Sequence, residues 1–124
     1  MMKRTALFLL VALSAPAAWA GVGRHEVEVA IAEAHGAVDA AQRAGAPEHA
    51  SKDFSQAQDD MSRAERAYDH RDWTHATMEA EKAKADANLA EALSRQSRAE
   101  ATTAEVEATV KRLREEVRMQ GGSL

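Results

Sequence analysis

From Asp72 to Met119 the chain carries neither proline nor glycine, and small residues recur there in strict 3-4 alternation. The row is Trp73, Ala76, Ala80, Ala83, Ala87, Ala90, Ser94, Ser97, Ala101, Ala104 and Ala108. Such a heptad spacing predicts one very long helix with a narrow, mostly alanine contact face. A helix of that reach, roughly 70 Å at ~1.5 Å per residue, outruns every other element the chain can offer it.

Two shorter helices are expected before it. The first spans about 24–44, with Val27, Ile31, Ala34, Val38 and Ala41 on one apolar stripe. Gly36 weakens it, and Gly45-Ala46-Pro47 ends it, since glycine suits a left-handed C-terminal position and proline cannot continue the helix. The second spans about 51–69, with Ser51 as N-cap and a stripe of Phe54, Ala57, Met61, Ala64 and Tyr68. Asp72 then caps the third helix, 72–119, and Gly121-Gly122 marks its far end. Short connections make neighbours antiparallel: the second helix lies back along the third, and the first along the second.

The fold class that follows is all-α: an antiparallel three-helix arrangement whose C-terminal helix overhangs as a coiled-coil-like rod. Each short helix reaches only about 30 Å, so both must stack on the Trp73–Ala92 half. The core is expected at Phe54, Met61, Tyr68 and Trp73, the last two clamping the turn as an aromatic pair. Beyond Leu93 the overhang is not uniformly polar. Val106, Val110, Leu113 and Val117 form a further 4-3-4 stripe, flanked by i,i+4 charge pairs at Glu107–Lys111, Lys111–Glu115 and Arg112–Glu116. Four aligned branched residues with no partner in their own chain are the candidate association site.

Residues 1–20 read as a cleavable signal peptide: Lys3-Arg4, an apolar run over Thr5–Ser14, and a small-x-small site at Ala18-Trp19-Ala20. That run is shorter than the ~20 residues a bilayer span needs. The remainder, 21–124, is expected to be a single helical domain, exported to the periplasm or cell envelope, without an integral membrane span. Its charge is −4 for the whole chain and more negative without Lys3 and Arg4, which disfavours nucleic acid as partner. No cysteine is available for lipid attachment or disulfides.

No catalytic, cofactor or metal site is expected. His70 and His75 flank the Asp69–Asp72 turn, but a metal needs at least three converging ligands, and no other histidine is placed nearby. Neither GxSxG, HExxH nor a glycine-rich phosphate loop occurs. Ser94 and Ser97 lie on the heptad seam as small contact residues.

From Gly45 to Ala92 the sequence resembles the bacterial domain-of-unknown-function family 4398. The resemblance rests on Gly45-Ala46-Pro47, Asp53-Phe54-Ser55-Gln56-Ala57, Ala64-Glu65-Arg66-Ala67-Tyr68, Asp72-Trp73, and Ala80-Glu81-Lys82-Ala83-Lys84-Ala85-Asp86-Ala87. It implies an exported, alanine-rich helical domain, of a kind sometimes fused to a wall-binding domain like that of outer membrane protein A. It supplies no catalytic residues. Where the family's turn reads glycine-aspartate-aromatic, Arg71 stands at the glycine position, so a strained left-handed residue is expected there. The turn is also similar to a tetratricopeptide helix pair.

The function expected is a non-catalytic envelope module, self-associating or partner-binding through the distal helix, with peptidoglycan association only indirect. A periplasmic chaperone-like or tetratricopeptide-like binding module is the alternative.

Overall fold

The computed structural model describes residues 21–122; the expected signal peptide lies outside them. Four helices follow one another: α1 (Arg24–Arg43), α2 (Ala46–His49), α3 (Ser51–Asp69) and α4 (Trp73–Gly121). Gly45 adopts φ 89 and both closes α1 and starts α2. The left-handed position was legible in the sequence, but the single helical turn α2, with Pro47 as its second residue, was not. The cap of α3 is Ala50 rather than Ser51, which already lies inside the helix, and no side chain caps that end.

The α3–α4 turn is a Schellman motif. Arg71 N–H donates to the Tyr68 carbonyl and Asp72 N–H to the Ala67 carbonyl, both at 2.9 Å. Arg71 sits in the left-handed region with φ 60, the conformation in which a Cβ is unfavourable. Asp72 caps α4 as expected, its Oδ1 accepting from His75 N–H at 3.1 Å.

Three core layers stack along the bundle. Val27, Ala67 and Ala76 are buried at the turn end; Ala34, Met61, Ala64, Ala80 and Ala83 fill the middle; Ala41, Ala46, Ala50, Phe54, Ala57, Ala87 and Ala90 fill the other end. Their order makes α1 parallel to α4 and α3 antiparallel to both. The arrangement differs in one respect from that expected: α1 packs mainly on α4, not along α3. The alanine row of α4 is the cause. Without bulk at Ala76, Ala80, Ala83, Ala87 and Ala90, one face of α4 admits two helices at close range.

Phe54 and Met61 are buried as expected. Tyr68 and Trp73 are only partly so, packing at the rim with ring centroids 5.3 Å apart at 58°. The Tyr68 hydroxyl donates to Glu28 Oε1 at 2.6 Å and accepts from Arg24 Nε at 3.0 Å, tying α1 to α3 at the turn end. Arg24 also lies 5.8 Å from the Tyr68 ring centroid.

Candidate functional site on the free face of the long helix

The buried row of α4 runs from Ala76 to Ser94 and then stops. Ser97 is half-buried, its Oγ 3.3 Å from His49 Nδ1 of α2, and marks the end of the bundle. Ala101, Ala104 and Ala108, which continue the same spacing, are exposed. The alanine seam therefore serves packing within the chain only as far as the short helices reach.

All four residues of the expected association site are exposed: Val106 56%, Val110 39%, Leu113 50% and Val117 69%. They do not continue the alanine seam. At ~100° per residue, their stripe lies roughly 130° around the helix from the buried row. Traced back toward Trp73, the same 3-4 register passes through Thr103, Ala99, Gln96, Ala92 and Leu89 to Met78, every one of them exposed. The long helix thus carries two rows: one covered by α1 and α3, one open to solvent along its whole length. The sequence holds the second row in plain view, but its polar members at Gln96 and Thr103 hide the period.

Only the distal third of the open row is apolar enough to exclude water. Thr103 and Thr102 turn their hydroxyls back to the Ala99 and Arg98 carbonyls at 2.9 and 3.0 Å, satisfying them within the helix. Gln96 bonds to Glu100, and Arg95 is engaged by Glu91. Past Thr103 an open groove lies beside the row, lined by Val106, Glu107, Val110, Lys111 and Arg114. The i,i+4 ion pair that closes on α4 is Arg95–Glu91. Those expected at Glu107–Lys111, Lys111–Glu115 and Arg112–Glu116 stay open.

A polar cluster between α3 and α4 went unread in the sequence. Asp60 is fully buried, although it neighbours the apolar stripe of α3 only at its edge. Its Oδ1 accepts from Gln56 at 3.0 Å and from Arg63 at 2.7 Å, and lies 3.6 Å from Lys82 Nζ; its Oδ2 has no partner. Glu79, also buried, is 3.3 Å from Lys82 and 4.0 Å from Arg63. Glu79, with Asp60 behind it, holds the Lys82 ammonium above its ordinary value. Burial first, and then the adjoining Asp60 carboxylate, push Asp86 up. Gln56 and Arg63, at i−4 and i+3 from Asp60, were the available sign of a buried carboxylate. The arrangement joins two helices by charge; among the described residues no group of His, Asp and Glu is placed to hold a metal. His70 and His75 bring no further ligand together, His75 Nε2 lying 3.7 Å from Glu79 Oε1.

Fold and surface define a class: an all-helical domain in which a compact bundle holds the root of a single projecting helix. Within that class the chain belongs to the family described as Domain of unknown function (DUF4398), whose model it matches over residues 29–106. The match covers the bundle from Val29 onward and ends at the first valine of the distal stripe. No curated protein and no solved structure matches the chain. Among the described residues, no helix is long and apolar enough to cross a membrane.

Proposed function

We propose that this protein is a non-catalytic module of the bacterial cell envelope, exported by its N-terminal signal, that associates with protein through the distal face of α4. The bundle fixes one end of the helix, and the other end presents Val106, Val110, Leu113 and Val117. The observation that carries this reading is the exposure of all four on one stripe, with no element of the described chain near enough to cover them. In water such a row is stabilised by a second apolar surface, at ~25 cal/mol per Å² removed from solvent.

Sedimentation of Gly21–Leu124 tests it against the double variant Val110→Asp/Leu113→Asp. The parent is expected above the monomer mass and the variant at it, with helical content retained. Equal masses would remove the stripe as an interface. Export is checked separately: mass spectrometry of the protein from a cell-envelope fraction should give Gly21 as first residue.

A further inference from the structure

We infer that the partner is a second copy of this chain, paired antiparallel through the two distal tips, with Val110 of each against Leu113 of the other. This rests on the association reading above and adds its occupant, polarity and register.

Charge decides between the two ways of pairing like helices. In the heptad frame of the open row, Val110 and Val117 take the first core position, Val106 and Leu113 the second. Glu107 and Arg114 then both flank the core on the same side. Antiparallel helices bring like flanks together, so Glu107 of one copy faces Arg114 of the other, twice by symmetry. The core layers are then Val106 on Val117 and Val110 on Leu113, each occurring twice, with Thr103 on Gln120 closing the overlap at either end.

A parallel pair matches opposite flanks instead. It sets Thr109 beside Arg114 and Thr102 beside Glu107, so neither charge finds its opposite. The opposite-charge pair it does offer in the overhang, Arg95 with Glu100, draws on groups already engaged by Glu91 and Gln96. It also stacks Gln96 on Gln96, and further back Lys82 on Lys82, along the open row. Antiparallel overlap avoids both, because it confines contact to roughly 18 residues beyond Thr102, about 27 Å of helix. The bundles, lying at opposite ends, do not meet.

Cysteine pairing tests the register cleanly, since the native chain has no cysteine. Val106→Cys and Val117→Cys chains, mixed and oxidised, are expected to give a disulfide dimer, and neither chain alone to do so, the like positions being about 16 Å apart. Scattering from the unmodified protein should show a particle of about 115 Å between bundle ends rather than the ~75 Å of a parallel pair. Glu107→Arg should weaken the dimer by on the order of tenfold, and Glu107→Arg/Arg114→Glu should recover it. Self-linking of the Val106→Cys chain, or a dimer that links in no combination, overturns the register and leaves association standing. A monomeric mass overturns both.

Discussion

Asp60 and Asp86 show how a charged residue can be structural without being a site. Asp60 is buried with one oxygen bonded and the other bare, and the Asp86 carboxyl beside it is raised. A carboxyl raised on folding stabilises the fold while protonated; that contribution is complete below its unfolded value and is lost as pH rises through the folded one. At neutral pH Asp86 is therefore a cost. Asp86→Asn should raise the melting temperature at pH ~7, and the gain should shrink on acidification, as Asp86 takes up its own proton. Melts at neutral and at acid pH check this; an equal gain at both would mean that ionisation of Asp86 is not the cost. Glu28 works in the opposite sense. Tyr68 and Arg24 hold it low, so its contribution is present above the ordinary carboxylate range and fades on acidification. In the sequence only Gln56 and Arg63, one turn to either side, hint that Asp60 differs from the other acids of α3. Its burial follows from the close approach that the alanines of α4 allow, which is a property of the facing helix.

At the scale of elements, sequence and structure agree wherever local chemistry decides. The proline- and glycine-free run gave α4, Gly45 gave the end of α1, and Asp72 gave the start of α4. They part where tertiary packing decides: α2, the Ala50 cap, and the preference of α1 for α4 over α3. The candidate site divides the same way. Its four residues follow from periodicity, but the face they occupy, away from the alanine row, becomes visible only once α1 and α3 have claimed theirs. Two substitutions probe elements directly. Gly36 is exposed in the interior of α1, and a Cβ added there would meet nothing within 4 Å, so Gly36→Ala should stabilise by about 0.5–1 kcal/mol. Arg71→Gly removes the strained φ 60 residue from the Schellman turn and should add about 0.5–1 kcal/mol, offset in part by a freer unfolded chain. Urea denaturation reads both. Gly45→Ala should move the other way, because φ 89 strains a residue with a Cβ and the His49 ring, 3.2 Å from the new methyl, must give way.

For the whole molecule, the buried row ending at Ser94 and the Ser97–His49 contact place the border between bundle and rod just past Ser97. A chain stopped after Thr102 should keep the cooperative melt of the bundle within a few degrees while losing helical signal and any association. A chain stopped after Leu93 should melt lower, since it lacks Ser94 and the α2 contact. Circular dichroism on both separates the two effects.

An uninterrupted α4 also behaves as a rigid vernier, in which residue count fixes the azimuth of the tip. Two extra residues near Ala99 would swing the valines by about 200°, onto the side where the bundle sits. Seven would lengthen the reach by ~10 Å and restore the original bearing to within about 20°. On the pairing proposed above, insertions of whole heptads keep the bearing of the stripe relative to the bundle, and other lengths do not.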